Sequence, residues 1–589
     1  MQNALPYSPG SPRDPAFRLR ALWLLSGAVL LGFLIWGRLI YWQLLEHSRL
    51  SGDARSEYSR TVELPAARGR LLDRDGRPLA IDVTAYDVFV APNQVPPGDR
   101  PQLAAQLAAG LGGRPADYQK VLDGGGGFAY IARAQPKAVA DRLRSQNLKG
   151  VGLEAVTVRS YLPGGVAGDT LAANLLGFVN RDGQGQYGVE GYYQRLLAGR
   201  AGHVSGYRDL AGNEIVVGGA APVRVDPIDG QDLVLTLDSG IQQFAEQALA
   251  AGVQRNKGES GSVVVLDSRT GGVVAWADYP SYDANAYATT PVGTFIDPAI
   301  SYLYEPGSVM KVVTLAGAIE HGAITPSTTI NDPGWINVDG TVIHDAESIN
   351  RGNVTYTKVL ESSLNVGAIH AEQAEGKDAF YSNLVGFGFG APSGIDVAAE
   401  SALPLRPLDQ YRGTELATAS FGQGIDVNLL QMVAAVNVIA NRGRYVQPHV
   451  VDRIGNRPAP AAVAPPRQVV STQTAAQVDQ MMRAVVQHGS GWTSRISGFD
   501  LDEAGKTGTS QIPVDGKYSG DVWSSYVGYM PASNPRFTML VLVRKPHNPG
   551  WLENDGYYVA EPIWKEIAQQ IVLEWHIAPT NPQVQPVPA

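Results

Sequence analysis

A serine and a lysine stand three residues apart in YLYEPGSVMKVVTLAGAIEHG: Ser308 and Lys311, just after Pro306-Gly307. A helix is expected to begin at that break, and the i,i+3 spacing then puts hydroxyl and amine on one face. A serine near a helix N-terminus has backbone N–H groups and a partial positive charge beside it, which suit an alkoxide becoming an ester and then an oxyanion. The lysine lies in an otherwise apolar stretch, where an amine without water has a lowered pKa and acts as a base. Acyl transfer through a covalent intermediate is the chemistry such a pair supports. Two later segments carry similar groups. Ser363 and Asn365 are two apart in GNVTYTKVLESSLNVGAIHA, and AGKTGTSQI holds Lys506, Thr507, Gly508 and Thr509. Taken singly each has a structural reading: Ser363 as a local cap, Asn365 as a turn former, Lys506 to Thr509 as a glycine-containing strand edge.

Groups so far apart in sequence need a sheet and helices to bring them together. From Asp229-Gly230 onward the texture supplies both. SGIQQFAEQALAAGVQR reads as a helix, and GSVVVLDSRTGGVVAWADYP reads as two strands joined through Thr270-Gly271-Gly272. Helical stretches follow, then KYSGDVWSSYVGYM and RFTMLVLVRKP as strands and PIWKEIAQQIVLEW as a helix. This is an α+β pattern with an antiparallel sheet and flanking helices, on which the first and last elements meet. The domain is placed at 236–574, with the Pro-rich 575–589 as a disordered tail. Residues 45–235 read as a separate, mainly β or mixed domain. In it RGRLLDRDGRPLA reads as a hairpin or tight turn with charged walls, and Tyr187 to His203 as a short helix ending at Gly199. Nothing there has catalytic spacing, and its Arg and Asp are read as solvated or paired structural groups.

Ala21 to Gly37 is a run of 17 residues without a charge, followed by Arg38 and a further apolar turn. At about 1.5 Å per residue the run reaches roughly 26 Å, close to the thickness of a bilayer core. A transmembrane helix is placed at 21–44. Arg13, Arg18 and Arg20 precede it, so 1–20 is expected in the cytoplasm and the rest outside, on a single-pass anchor. The formal charge of -9 offers no basic surface for nucleic acid, and with no Cys thiol nucleophiles and Cys-ligated metals are excluded. The nine His are scattered, and although Asp332 and Asp345 flank His344, no metal and no cofactor is expected.

Together the three segments match, in order and at intervals of 55 and 143 residues, the Ser-x-x-Lys, Ser-x-Asn and Lys-Thr-Gly signature of the serine penicillin-recognising enzymes. The chain resembles a class B penicillin-binding protein, a monofunctional D,D-transpeptidase of bacterial peptidoglycan synthesis, along nearly its whole length. RGRLLDRDGRPLA and YGVEGYYQRLLAGRAG resemble the family's non-catalytic pedestal. GFGFGAPSGIDVAAES, ASFGQGIDVNLLQMVAAVNVIANRG and WSSYVGYMP resemble the segments around its active site. The stretches 180–215 and 386–401 look closer to the division and sporulation enzymes than to the elongation type.

The resemblance implies roles. Ser308 attacks the carbonyl between the two D-alanines of a stem peptide, and Lys311, kept neutral in part by Lys506, takes its proton. Ser363 relays a proton to the leaving amine, while Asn365 binds the substrate amide or orients Lys311. Lys506, Thr507 and Thr509 hold the terminal carboxylate. Gly508 stays small so that an extended peptide can lie against the strand edge. The backbone N–H groups of Ser308 and Thr509 form the oxyanion hole. Implied partners are a SEDS-family glycosyltransferase, other divisome or elongasome membrane proteins, stem peptides and β-lactam antibiotics. Alternatives are an elongation-type enzyme of the same class, or a non-catalytic penicillin-binding scaffold or sensor.

Overall fold

The computed structural model describes residues 15–50, 59–208, 214–215, 223–459, 464–499, 502–550 and 552–580. The expectations for residues 1–14 of the N-terminal segment and 581–589 of the tail lie outside the described residues. The chain divides into two compact units, 1–66 with 200–228 and 67–199 with 229–589.

In the first unit the helix Pro15–Ile40 continues through a wider turn, Tyr41–Leu45, giving a 31-residue span long and apolar enough to cross a membrane. Its apolar side chains, Trp23, Leu24 and Phe33 among them, are exposed rather than packed on a core. Strand Gly202–Arg208 pairs antiparallel with Ser59–Leu64 and with Val223–Val225.

The second unit is built on a five-stranded sheet. Its elements, in chain order, are helix α1 (Ser239–Arg255), strands β1 (Ser260–Asp267) and β2 (Val273–Tyr279), and helices α2 (Lys311–Glu320), α3 (Asn365–Glu375), α4 (Leu429–Ala440) and α5 (Thr472–His488). Strands β3 (Ala504–Val514), β4 (Lys517–Met530) and β5 (Phe537–Arg544) and helix α6 (Ala560–Glu574) complete it. The strand order is β2-β1-β5-β4-β3, every pair antiparallel, so β3 is an edge. VVVL in β1 and MLVLV in β5 are unbroken apolar runs because both faces are covered. Val263, Val265, Val541 and Val543 pack with Ile241 and Leu249 of α1 and Ile563, Trp564 and Ile567 of α6. Their neighbours Val264, Leu266, Leu540 and Leu542 point the other way, into a core with Leu315, Val433 and Val478 of α2, α4 and α5. Every residue of α4 is buried.

A second sheet joins elements from far apart in the chain. Strand Leu233–Leu235 runs parallel to Leu71–Leu72 and antiparallel to Val451–Ile454, and Pro78–Val90 pairs with Leu71–Leu72, Ala129–Gln135 and Val151–Tyr161. The sheet therefore runs across residue 235. The expected turn at RGRLLDRDGRPLA is present, with Asp73 Oδ1 accepting the N–H groups of Asp75 and Arg77 at 2.9 and 2.8 Å. Its charged wall is internal: fully buried Glu190 accepts from Arg68 Nε at 2.9 Å and Arg159 Nε at 2.8 Å. Residues 187–199 are two short helices, Gly188–Tyr192 and Gln194–Leu197, and not one. Tyr193 leaves helical geometry between them (φ -96°, ψ 16°), and its hydroxyl donates to Asp396 at 2.7 Å.

Candidate active site

Ser308 sits in a short 3-10 turn, Gly307–Met310, that runs directly into α2 at Lys311. Gly307 takes a left-handed φ of 59°, and a Cβ there would stand 2.8 Å from the Thr509 carbonyl oxygen, so the turn lies against β3 with no room for a side chain. Ser308 Oγ and Lys311 Nζ are 3.0 Å apart. Lys311 has no exposed surface, and Nζ donates to the Ser363 carbonyl at 2.5 Å and to Asn365 Oδ1 at 2.8 Å.

Ser363 precedes α3 with a left-handed φ of 58°, which turns its carbonyl and hydroxyl toward the lysines. Its Oγ lies 3.3 Å from Lys311 Nζ and accepts from Lys506 Nζ at 3.1 Å. Asn365 opens α3 and is tied down by Nδ2, which donates to the His344 carbonyl at 2.9 Å. Lys506, also fully buried, reaches in from the edge strand β3 and donates to the Thr507 carbonyl at 2.9 Å. The three segments thus meet around one hydroxyl.

The rest of the third motif makes contacts within the fold that its sequence does not announce. A Cβ on Gly508 would stand 2.4 Å from Ser525 Oγ, 2.8 Å from Val309 Cγ2 and 3.1 Å from the Pro306 carbonyl oxygen. The turn that carries Ser308 by itself requires a glycine here. The Thr509 hydroxyl donates to Asp555, on the loop before α6. Thr507 Oγ1 lies 2.8 Å from Ser490 Oγ. Sequence reasoning did not single out Ser490 or Asp555, nor the capping role of Asp345; the flanking glycines of HGSGW are the one local signal for Ser490. Glu305, before the serine turn, accepts from the Gly424 N–H at 2.8 Å and the Tyr518 hydroxyl at 3.2 Å, and its carbonyl accepts from Ser510 Oγ at 2.5 Å.

Residues 261–569 match the family model of the penicillin-binding protein transpeptidase domain, and 63–235 match that of the penicillin-binding protein dimerisation domain. The chain belongs to the penicillin-binding protein transpeptidases. Penicillin-binding protein PbpB of Mycobacterium tuberculosis is 32% identical over 93% of this chain and 84% of its own length. Stage V sporulation protein D of Bacillus subtilis is 30% identical over 96% of this chain and 88% of its own. The crystal structure of penicillin-binding protein 3 from Mycobacterium tuberculosis complexed with aztreonam superposes with a TM-score of 0.65 at 28% identity, covering 90% of this chain and all of that one. The protein is a serine-type peptidoglycan D,D-transpeptidase of class B, among relatives of the division-associated kind. Its partnerships lie in peptidoglycan synthesis and division.

In this penicillin-binding protein the electrostatics of the two lysines differ. Burial pushes the Lys311 amine well below its ordinary range; the charge of Lys506 adds to the effect and Asp345 opposes it. Burial brings Lys506 down to about 8, against the favourable charges of Asp555 and Glu561. Lys506 thus keeps its charge near neutral pH, while the surroundings of Lys311 favour the neutral amine.

Proposed function

We propose that this transpeptidase cross-links stem peptides through an acyl-enzyme on Ser308. The observation that carries the reading is the contact set of buried Lys311: Nζ lies 2.5 Å from the Ser363 carbonyl, 2.8 Å from Asn365 Oδ1 and 3.0 Å from Ser308 Oγ, so that a neutral amine donating to the first two has its lone pair for the Ser308 hydroxyl. Ser308 Oγ bonds to the carbonyl carbon between the two D-alanines as its proton passes to Lys311. The oxyanion is met by the backbone N–H groups of Ser308 and Thr509, and a donor of this kind is worth about 3 kcal/mol. The C–N bond breaks as the proton reaches the leaving nitrogen by way of Ser363, and D-alanine departs. The amine of a neighbouring stem peptide then attacks the ester and releases Ser308. Asn365 orients Lys311. Lys506 with Thr507 and Thr509 receives the substrate's terminal carboxylate, for which Thr509 must exchange Asp555 for substrate.

A β-lactam takes the place of the D-Ala-D-Ala unit, as the relative solved with aztreonam supports. We place the N-terminus in the cytoplasm and the catalytic unit outside, on the positive residues before the apolar helix. We assign residues 45–235 to the pedestal, 236–574 to the catalytic domain, septal synthesis as the pathway and a SEDS-family glycosyltransferase as the partner. The test is a labelled penicillin added to wild type and Ser308→Ala, with the modified peptide read by mass spectrometry. An adduct on Ser308 that the variant lacks is expected; a folded wild type without adduct overturns the reading. With a paired polymerase and lipid-linked precursor, cross-linked dimers are expected, and trimmed monomers alone would make the protein a carboxypeptidase.

A further inference from the structure

Asp345 lies in none of the three motifs, yet it holds the second in place. Its Oδ1 accepts the backbone N–H of Asn365 at 2.5 Å and of Val366 at 3.0 Å. These are donors at the start of α3 that the N-cap residue, Leu364, has no side chain to satisfy. The adjacent carbonyl, that of His344, fixes the Asn365 amide, and Asn365 Oδ1 is thereby turned to Lys311 Nζ. Asp345 is almost wholly buried, and beside it lies Asp332, fully buried, whose Oδ1 accepts from the Gly334 N–H at 2.8 Å. The two residues hold Gly334 between them, the Asp345 N–H donating to the Gly334 carbonyl at 3.1 Å while the Gly334 N–H donates to Asp332, and Oδ2 of each carboxyl is buried with no donor among the described residues. A proton shared between the two carboxyls would give both orphaned oxygens a partner.

We propose that Asp345 is a positioning residue for acylation, supported by a proton-sharing contact with Asp332, and that the pair fixes the first turn of α3 and hence the grip of Asn365 on Lys311. The proposal rests on the reading of Lys311 as the base. The charged groups facing the pair are Lys311, toward Asp345, and Arg351, toward Asp332; Arg351 is itself paired with Glu347. The His344 ring lies on the same segment, 3.4 Å from Ser348 Oγ. Burial and the neighbouring Asp345 raise Asp332 to about 6, so the shared proton is held below that pH and lost above it.

The experiment is the acylation rate of the full-length protein in detergent by a labelled penicillin between pH 5 and 9, for Asp345→Ala, Asp345→Asn and Asp332→Asn. Asp345→Ala is expected to lower the acylation rate constant roughly tenfold, with the binding constant little changed. Asp345→Asn keeps an acceptor for α3 but removes the charge that favours protonated Lys311. Its acidic limb should move to lower pH, a shift that a merely structural role does not produce. Asp332→Asn, which supplies a permanent donor, should flatten the dependence between pH 6 and 8. A wild-type rate in Asp345→Ala, or an unmoved acidic limb in Asp345→Asn, overturns the proposal; if Asp345→Ala does not fold, the limb of Asp345→Asn decides. One divalent ion per chain in the purified protein also overturns it, since an ion would replace the shared proton. Wild-type acylation by Lys311→Met would instead refute the base on which the proposal rests, whatever the Asp345 variants do.

Discussion

Replacing Gly508 by alanine separates two explanations of the same glycine. If the position is small to admit an extended substrate, a methyl group weakens binding. The geometry predicts strain in the fold instead, because the methyl would meet Ser525 Oγ at 2.4 Å, Val309 Cγ2 at 2.8 Å and the Pro306 carbonyl oxygen at 3.1 Å. The serine hydroxyl can rotate away, but Pro306 and Val309 belong to the turn that carries Ser308. Overpacking of this kind costs about 1–3 kcal/mol. If ~2 kcal/mol of it opposes the placement of Ser308 in the acylation transition state, the rate constant falls about thirtyfold. Stopped-flow acylation by a penicillin resolves the binding constant from the acylation rate constant, and thermal unfolding of the same samples reports the strain. The rate constant and Tm should both fall with binding little changed, and adding Ser525→Ala should recover part of each. A loss confined to the binding constant, with rate constant and Tm at wild-type values, would put the methyl on the substrate side and refute the argument.

The pH profile should fall on its alkaline side near pH 8, as Lys506 loses the charge that meets a ligand carboxylate; the same profile measured with a carboxylate-esterified β-lactam should lack that limb. Glu375 is raised to about 8 by burial and by Glu372, so it is protonated in the fold at neutral pH while an unfolded chain ionises it above about 4.5. The fold loses stability as pH rises between those values, and Glu375→Gln should raise Tm at pH 8 and leave it unchanged at pH 4; equal shifts at both would exclude titration as the cause. Glu190→Gln leaves the side chains of Arg68 and Arg159, 7% and 2% exposed, without their shared anion. Breaking a buried pair in this way costs about 3–5 kcal/mol, measurable by chemical denaturation.

The catalytic sheet was legible because its strands bury both faces, which leaves unbroken apolar runs between glycine-rich turns, and because α1 and α6 carry helical apolar spacing. The motifs were legible because Ser308, Lys311, Ser363, Asn365 and Lys506 are set by short-range chemistry at fixed spacing. What the sequence hid depends on contacts between distant segments. Val451–Ile454 is a short strand whose partner, Leu233–Leu235, lies more than 200 residues earlier, and no local pattern announces the pairing. Asp345 caps a helix that begins 20 residues after it, and Asp555 meets Thr509 from 46 residues away. That Gly508 must be small is legible in Lys-Thr-Gly, but what a side chain there would meet depends on the side of the edge strand the Ser308 turn occupies.

Ser363 gives the two lysines different work. Its hydroxyl lies 3.3 Å from Lys311 Nζ and 3.1 Å from Lys506 Nζ, and two ammonium groups about one hydroxyl in a buried site repel each other. One amine therefore tends to give up its charge, and burial with the surrounding charges selects Lys311. Lys506 has three oxygens within reach, Ser363 Oγ, the Thr507 carbonyl and Thr507 Oγ1 at 3.1, 2.9 and 3.3 Å, one for each N–H of an ammonium, and the charges of Asp555 and Glu561 favour that state. Lys311 has four oxygens within reach, the Ser363 carbonyl, Asn365 Oδ1, Ser308 Oγ and Ser363 Oγ at 2.5, 2.8, 3.0 and 3.3 Å, and when the Ser363 carbonyl and Asn365 Oδ1 take both N–H groups of the neutral amine its lone pair is left to Ser308. When Ser308 gives up its proton, Lys311 becomes a cation beside Lys506 and the repulsion returns. Ser363 can then pass its own proton to the leaving nitrogen while taking one from Lys311, which restores the neutral amine. On this reading the pairing of a buried base with a buried cation holds Lys311 ready to accept a proton and makes it quick to release one.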